Sequence, residues 1–337
     1  MPQHRTDVVI IGAGPVGLFA VFECGMLRIK SHVVDALDVA GGQCAALYPE
    51  KPIYDIPGYP VIEASALIGK LQQQAAPFHP VFHLGQTVTG LRRGGDGRFL
   101  VETSAGTTID AAAVVIAAGV GAFGPNRPPL PGIEAFENKS VFYFVKRRDD
   151  FAGKNVVIAG GGDSAVDWAL ALADIAKVSV VHRRAKFRAA PESAAKLQQL
   201  ADSGKIELVV PYQLDGLEGV DGNLSSVIVK NLTGAFKRIP ADALLAFFGL
   251  AMNLGPIAEW GLNLERNRIA VEASTCGTNV PGLFAIGDIT SYPGKLKLIL
   301  SGFAEAALAA HAIYPLIHPD RELHFEYSTT MGVPGLT

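Results

Sequence analysis

Short apolar runs alternate with amphipathic segments along this chain, and several of the runs end at glycine. Residues 8–11 (VVII) lead into GAGPVG at residues 12–17, and residues 156–159 (VVIA) lead into GGGDSA at residues 160–165. This pattern predicts a buried strand, a tight turn and the start of a helix. The repeated strand and helix segments favour an α/β fold with parallel sheets.

Three later apolar runs also predict strands that end at glycine. They are residues 111–118 (AAAVVIAA), 243–248 (ALLAFF) and 283–286 (LFAI), the last leading into Gly287-Asp288. Residues 119–132 are rich in glycine and proline, which is typical of a hinge between domains. We therefore expect two Rossmann-like dinucleotide-binding domains. The first is discontinuous and comprises residues 1–118 and 249–337, and residues 119–248 are inserted in it.

The two glycine turns have the spacing of dinucleotide-binding fingerprints. Their small residues let the backbone approach a pyrophosphate, and the free N–H groups at the helix N-terminus supply positive potential. The alternative for either one is an ordinary glycine-rich turn before a helix. The residues predicted to contact the first dinucleotide are Gly12, Gly14, Pro15 and Gly17, and those for the second are Gly160, Gly162, Asp163, Ser164 and Ala165.

The two fingerprints differ in the charge that follows them. Asp35 stands eighteen residues after Gly17, whereas Arg183 and Arg184 begin eighteen residues after Ala165. A carboxylate at that strand end accepts hydrogen bonds from a ribose 2′-hydroxyl, and an arginine there binds a 2′-phosphate. The sequence thus predicts FAD at the first site and NADP(H) at the second. The alternative is that the arginines form a solvated basic strand end.

Two neighbours of this arginine pair complete the predicted NADP site. Arg188 adds a third guanidinium within reach of a 2′-phosphate, and a guanidinium fork binds two oxygens at once. His182 precedes the pair and is expected beside the adenine, where it can equally serve only to fill space.

Composition excludes several other functions. The 337 residues are 49% hydrophobic with a net charge of −3, which gives enough core for two domains and no bulk charge for nucleic acid. The three cysteines, Cys24, Cys44 and Cys276, lie far apart, with neither a C-x-x-C pair nor metal-ligand spacing. The apolar stretch 296–317 contains Glu305, so we expect a buried helix rather than a membrane span. A cytoplasmic protein without metal is predicted.

Several motifs together resemble a known family along the whole chain. They are GGQ at residues 41–43, ALYPEK at 46–51, GGGDSAVDWAL at 160–170, HRR at 182–184, Gly287-Asp288 and YSTT at 327–330. Their order is similar to that of the thioredoxin-reductase-like flavoproteins, and especially the ferredoxin–NADP⁺ reductases of bacterial, homodimeric type. One departure from thioredoxin reductases is clear. Residues 140–148 (SVFYFVKRR) occupy the stretch where those enzymes carry C-x-x-C, so no dithiol relay is expected there.

The resemblance implies roles for individual residues around the flavin. Gln43, with Gly42, would hydrogen-bond the flavin or its phosphate, and Tyr48 would lie against one face of the isoalloxazine. Asp288 would accept hydrogen bonds from the ribityl chain; on sequence alone, a turn or N-cap aspartate is equally compatible. The helix that opens near Ser301 would point its free N–H groups at the flavin pyrimidine, although its small residues also suit ordinary helix packing.

The C-terminal tail, from about residue 319, would cover the flavin of a partner subunit. Tyr327 would lie over the second flavin face, with Thr329 or Ser328 near N5. Val88 and Phe123 are counted among the FAD-binding residues as well. Tyr48, Tyr327 and Thr329 are then the residues nearest the chemistry, because hydride transfer to N5 needs no acid, base or nucleophile.

The predicted activity is electron exchange between NADP(H), FAD and ferredoxin, or flavodoxin. Ferredoxins are acidic, so the basic runs 146–148 (KRR) and Lys295 with Lys297 are candidate docking residues, or else simply solvated. The alternatives are an NADPH-dependent reductase of another acceptor, such as a quinone, and a slow redox-sensing flavoprotein. A disulfide reductase is disfavoured by the missing C-x-x-C.

Overall fold

The computed structural model describes residues 2–121, 124–251, 253–324 and 328–333. The chain divides into two compact units, here called unit 1 and unit 2. Unit 1 consists of Met1–Phe123 and Met252–Thr337, and unit 2 of Gly124–Ala251. The boundaries expected from the sequence were 118/119 and 248/249.

The first part of unit 1 alternates strands and helices. Its elements are β1 (His4–Ile11), α1 (Pro15–Met26), β2 (Ser31–Val34), α2 (Gln43–Ala46), β3 (Pro52–Ile53), β4 (Ile62–Glu63), α3 (Ala64–Ala75), β5 (Val81–His83), β6 (Val88–Arg93), β7 (Phe99–Thr103) and β8 (Thr108–Ile116).

Unit 2 repeats the strand–turn–helix plan. Its elements are β9 (Gly124–Pro125), β10 (Val141–Phe142), β11 (Asn155–Ala159), α4 (Asp163–Leu172), β12 (Lys177–Val181), α5 (Pro191–Asp202), β13 (Ile206–Val209), β14 (Tyr212–Val220), β15 (Asn223–Asn231), β16 (Phe236–Pro240), β17 (Ala243–Ala246) and β18 (Leu250–Ala251).

The chain then returns to unit 1 for short strands and one long helix. These elements are β19 (Leu264–Glu265), β20 (Arg268–Ala270), β21 (Leu283–Ala285), β22 (Thr290–Ser291), α6 (Ile299–Ile317) and α7 (Ser328–Met331).

The main sheet of unit 1 has the strand order β5-β2-β1-β8-β7-β6, and β21 also pairs with β8. Strands β5, β2, β1, β8 and β21 are parallel, and β7 and β6 join antiparallel. Strand β8 forks: residues 108–111 pair with β7, and residues 114–116 pair with β21. Residues 8–10 of β1 are fully buried because the sheet is covered on both faces.

The main sheet of unit 2 is entirely parallel, with the order β10-β17-β11-β12-β13. A three-stranded antiparallel sheet, β14-β15-β16, is inserted in the chain between β13 and β17. The mixed α/β architecture with parallel sheets confirms the fold class expected from the sequence. Two predicted strands end earlier than expected, at Ile116 and Ala246, because the partner strands end at the same register level.

Helix α6 packs closely against α1. A Cβ atom on Gly302 would lie 2.3 Å from Val16 Cγ2, so only glycine allows this approach. Among the residues that the structure describes, α6 is the one helix long and apolar enough to cross a membrane, with a mean hydropathy of 1.3. It buries one face in unit 1, whereas Leu300, Leu308 and Leu316 on the other are 41–49% exposed. The expectation of a buried helix therefore holds for one face only.

Two buried histidines lie side by side on β2 and β5. His32 Nδ1 and His83 Nε2 are 3.0 Å apart, and their rings stack with centroids 5.1 Å apart. Burial, followed by the nearby His83 and His4, lowers the pKa of His32 to about 4. Burial and His4 also lower the pKa of His83. Both rings are therefore neutral near pH 7.

This pair predicts a loss of stability on mild acidification. An unfolded histidine titrates near pH ~6.5, so the unfolded chain binds a proton before folded His32 does. The free energy of unfolding should fall as the pH drops from about 6.5 towards 4, by at most about 1.4 kcal/mol per pH unit from this group. We expect H32F, which keeps a stacked ring but cannot titrate, to show a smaller drop in Tm between pH 7.5 and 5. The exposed His324 offers a matched control, H324Q. Equal acid sensitivity in wild type and H32F would contradict the assignment.

Candidate functional site: two dinucleotide cradles

A cavity of about 510 Å³ opens in unit 1 at the C-terminal ends of β1, β2 and β8. Ligands of open α/β sheets bind at this edge. Nine residues predicted to hold FAD line it, namely Gly12, Gly14, Pro15, Asp35, Gly42, Gln43, Tyr48, Val88 and Asp288. The adjoining wall is formed by residues 117–119, by Gly121 and by residues 254–257. Gly17 lies behind the turn.

The first glycine turn is shaped by backbone contact. Gly12 has φ +111°, and a Cβ atom there would lie 2.4 Å from the carbonyl oxygen of Ala117. A Cβ atom on Gly17 would lie 1.9 Å from the carbonyl oxygen of Gly12, so α1 begins directly against the turn. At Gly14, by contrast, an added Cβ meets nothing within 4 Å. Because Gly14 lines the cavity, that open space is part of the cavity.

Asp35 immediately follows β2 and tightens the turn from the opposite side. Its carboxylate accepts hydrogen bonds from Ala13 N at 2.5 Å and Leu37 N at 2.8 Å. Burial raises the pKa of Asp35, and these two N–H donors oppose the rise. The carboxylate lines the cavity beside the first fingerprint, where a ribose hydroxyl could donate to it.

Tyr48 follows the short helix α2 and also lines the cavity. Its hydroxyl lies close to the Cys44 thiol. Burial is the main cause that raises the pKa of Tyr48, and burial likewise raises the pKa of Cys44 to about 11. Both groups are therefore protonated at neutral pH, so Cys44 is a poor nucleophile. Gln43, the first residue of α2, lies against Gly119.

The opposite end of the cavity combines a glycine turn with a helix N-terminus. Strand β21 ends just before Gly287-Asp288, where Gly287 has φ +80°. Helix α6 begins at Ile299, two residues earlier than Ser301, and Leu298 and Ile299 line the cavity. The first N–H groups of a helix lack intrahelical acceptors, so this end carries positive potential.

The two lysines before α6 have different environments. The expectation that Lys295 belongs to an exposed docking patch is wrong. Its side chain is only 5% exposed and forms an ion pair with Glu305, itself 3% exposed. Lys297 is exposed and lines the cavity, and partial desolvation followed by the nearby Arg268 lowers its pKa. The sequence alone does not show which of two neighbouring lysines is buried, so Lys295 and Lys297 could not be distinguished from it.

Two residues predicted for the flavin site, Phe123 and Tyr327, lie outside the residues that the structure describes. Thr329 lies in α7 and is exposed, and the residues described as lining the cavity do not include it. The predicted cover by the tail of a partner subunit stays a prediction.

The second glycine turn, in unit 2, has the same construction as the first. A Cβ atom on Gly160 would lie 2.7 Å from the carbonyl oxygen of Phe247 and 2.9 Å from Ala165 Cβ. Gly162, like Gly14, has nothing within 4 Å of an added Cβ. Gly14 and Gly162 are the second glycines of the two G-x-G fingerprints, and both are open at the start of a helix. This open space fits a pyrophosphate at each turn.

Three arginines follow β12 in the segment that is tied to this turn. Arg183, Arg184 and Arg188 are all exposed, and Arg183 stands two residues after β12 ends at Val181. The backbone N–H of Arg188 donates to Gly161 O at 2.6 Å, so its loop is tied to the turn. Asp163 ties the same loop by accepting a hydrogen bond from Ala190 N at 2.9 Å. Ser164 is exposed beside it.

His182 covers the middle glycine of this turn. A Cβ atom on Gly161 would lie 2.1 Å from the His182 ring, which also stacks on Phe187 with centroids 5.3 Å apart. Burial, followed by the three arginines, lowers the pKa of His182, so its ring is neutral at pH 7. The sequence analysis gave Gly161 no role, although a run of three glycines indicated that position 161 also needs a small residue. The structure supplies the reason, because the His182 ring occupies the space of a side chain at position 161.

The run 146–148 is partly engaged within unit 2. Arg147 pairs with Asp150 at 3.4 Å, and Arg148 Nε donates to Ala171 O at 2.7 Å. Arg147 remains 71% exposed. Lys146 and Arg147 are therefore more available than Arg148 for the predicted docking of an acidic partner.

Two strand–turn–helix cradles with open second glycines, one followed by a carboxylate and the other by arginines, define an α/β oxidoreductase of the two-dinucleotide class. The model of the pyridine nucleotide-disulphide oxidoreductases matches residues 6–312. The chain belongs to that family.

Individual relatives narrow the comparison. The chain is 63% identical over 335 residues to a ferredoxin–NADP reductase of Paramagnetospirillum magneticum, covering 99% of each chain. It is 64% identical over 332 residues to a ferredoxin–NADP reductase of Granulibacter bethesdensis, covering 98% of this chain and 95% of the other. Among solved structures, the thioredoxin reductase of Lactococcus lactis in its FR conformation matches with a TM-score of 0.80 and 27% identity. That match covers 93% of this chain and 99% of the other.

The contrast between Gly14 and Gly17 gives a test of the first cradle. G14A adds a methyl group that meets only the cavity, so we expect an unchanged Tm for the apoprotein and FAD binding weaker by about 10-fold or more. G17A forces a methyl group against the Gly12 carbonyl, so it should lower the apoprotein Tm itself. Thermal unfolding and flavin fluorescence titration of both variants provide the measurements. Normal FAD affinity in G14A would argue against a ligand at this turn.

Proposed function

We propose that this chain is an FAD-dependent ferredoxin–NADP⁺ reductase, with FAD in the unit 1 cavity and NADP(H) on unit 2. The observation that carries this assignment is the contrast between the two cradles. Their glycine turns match, but Asp35 follows one and Arg183 follows the other. An unphosphorylated ribose suits the first, and a 2′-phosphate suits the second. NADP(H) and FAD are therefore the two cofactors.

The proposed FAD site uses groups at both ends of the cavity. The turn at Gly12 and Gly14 holds the pyrophosphate, and Asp35 holds the adenosine ribose. At the other end, Asp288 accepts from the ribityl chain and the N-terminus of α6 favours negative charge on the reduced ring. The remaining proposed contacts are Pro15, Gly17, Gly42, Gln43, Tyr48, Val88, Phe123, Tyr327 and Thr329.

Bound FAD supplies a conversion between the hydride of NADPH and the single electrons of an iron–sulfur protein. Overall, NADPH and two oxidised ferredoxins give NADP⁺, a proton and two reduced ferredoxins, or the reverse. The chain itself binds, orients and shields. Asp35 on one unit and Arg183, Arg184 and Arg188 on the other select the cofactors. Tyr48 provides an aromatic surface in the cavity.

Two observations favour ferredoxin over a disulfide as the acceptor. The relatives at 63% and 64% identity are named for ferredoxin. The cysteines supply no dithiol, because all three are free and buried. The family description and the solved thioredoxin reductases keep a disulfide acceptor as the second candidate. Flavodoxin or a quinone is a further alternative, as is slow turnover in a sensing role.

We also propose that the protein is a cytoplasmic homodimer. Leu300, Leu308 and Leu316 of α6 are large apolar side chains exposed on unit 1, and a second copy is the proposed cover for them. The tail from about residue 319 would then reach the partner subunit's flavin. Light scattering on the purified protein should give a mass of two chains, and L308E should lower it towards one, with E259Q as a surface control. A monomeric wild type would exclude the dimer.

The arginines of unit 2 give a test of cofactor choice. Replacing both by R183A/R184A removes two guanidinium contacts to the 2′-phosphate, so KM for NADPH should rise about 10- to 100-fold. KM for NADH, which lacks that phosphate, should change little. Arg238 is also exposed and pairs with Glu218. R238A therefore serves as a control for the loss of an exposed arginine. Equal losses with both cofactors would contradict the assignment.

The acceptor is tested by NADPH-driven reduction of cytochrome c, with and without added [2Fe–2S] ferredoxin. We expect strong stimulation by ferredoxin and much slower rates with NADH. Flavin reduction by NADPH without ferredoxin stimulation would keep the cofactor assignment and exclude ferredoxin. Flavodoxin, quinones and disulfides would then be tested as acceptors in the same assay.

A further inference from the structure

A buried carboxylate joins three segments at one end of the FAD cavity. Glu305 lies in the second turn of α6 and is 3% exposed. Its Oε2 accepts a hydrogen bond from Gly287 N at 2.6 Å, and its Oε1 accepts one from the Tyr292 hydroxyl at 2.7 Å. Oε1 also binds the ammonium group of Lys295. Every one of these partners donates, so the ionised carboxylate is matched on both oxygens.

The three segments held in this way carry cavity-lining residues. Gly287 begins the turn that presents Asp288, and the carbonyl of Gly287 accepts a hydrogen bond from Thr290 Oγ1 at 2.9 Å. Tyr292 and Lys295 belong to the loop that leads to Lys297 and the start of α6, both at the cavity. Glu305 is itself part of α6. One side chain thus sets the spacing between the Asp288 turn and the helix N-terminus.

We propose that Glu305, with Lys295 and Tyr292, is a positioning residue for FAD that acts through the Gly287-Asp288 turn. This inference rests on the proposed placement of FAD in the unit 1 cavity. Glu305 does not line the cavity, so it acts by fixing the Gly287 amide and hence the direction of Asp288. A left-handed turn at Gly287 (φ +80°) has no strand pairing of its own to hold it.

Charge balance explains why a lysine accompanies the glutamate. An unpaired buried carboxylate beside the cavity would repel a negative flavin and its phosphates, and it would cost stability. The Lys295 ammonium cancels that charge within the network. The positive potential from the α6 N-terminus and Lys297 is therefore left to act on the ligand.

The test replaces the whole pair, because removal of one partner would leave a buried charge. E305M/K295M keeps similar volume without charge, so the apoprotein should fold, and its Tm measures any structural cost. Loss of the charged hydrogen bond to Gly287 should weaken FAD binding about 10- to 100-fold, measured by flavin fluorescence titration. E305Q provides a second variant. Its amide nitrogen is a donor, so it cannot accept the hydrogen bond that one oxygen of Glu305 accepts.

A matched control and a cycle separate positioning from stability. Arg98 and Asp110 form another partly buried ion pair of unit 1, and neither lines the cavity. R98M/D110M replaces this pair in the same way and should leave the FAD dissociation constant unchanged, whatever its effect on the apoprotein Tm. If Glu305 acts through Asp288, the effects of E305M/K295M and D288N on FAD binding should be less than multiplicative when combined.

The outcomes distinguish this inference from the proposed function. Failure of the wild-type protein to bind FAD would overturn both. Wild-type binding with FAD affinity in E305M/K295M within twofold of normal would overturn the positioning role alone. Independent, fully multiplicative effects with D288N would likewise overturn it.

Discussion

Backbone contact at the first glycine turn is the constraint on which unit 1 depends. Helix α1 begins so close to the end of β1 that Gly17 has no room for a Cβ beside Gly12. Gly12 is in turn pressed against the end of β8 at Ala117. Helix α6 also comes close to α1 at Gly302, here against the Val16 side chain. The ends of β1 and β8 and the start of α1 therefore meet through backbone contacts, and the space beyond Gly14 is a cavity rather than a packed core.

Unit 2 uses this construction again with a different choice of side chains. Ala165 takes the position of Gly17, and Phe247 supplies the opposing carbonyl at Gly160. The scaffolds agree, so the proposed difference in cofactor rests on the side chains just beyond β2 in unit 1 and just beyond β12 in unit 2. The two units share this geometry but carry opposite charges there. In unit 1 the Asp35 carboxylate is hydrogen-bonded to the turn, whereas in unit 2 Arg183 and Arg184 are exposed.

The features that the sequence predicted are those encoded by local period and fixed spacing. The strands, both glycine turns, Asp35 and the parallel sheets follow from such patterns, and the family comparison confirms the predicted class and cofactors. Lys295 was misjudged because burial depends on residues distant in sequence. Glu305 was noted only as a polar interruption of an apolar stretch, since its partner Gly287 is eighteen residues away. The dependence of Gly161 on His182 is likewise a tertiary contact.

The fork in strand β8 has a consequence for biosynthesis. Half of β8 is completed by β7, its immediate predecessor, but the other half awaits β21, which begins only at Leu283. All of unit 2 is made between those two strands. On the ribosome, unit 2 can thus finish folding while the main sheet of unit 1 still lacks β21. The Asp288 turn and α6 follow β21, so the cavity of unit 1 is complete only when nearly the whole chain has emerged.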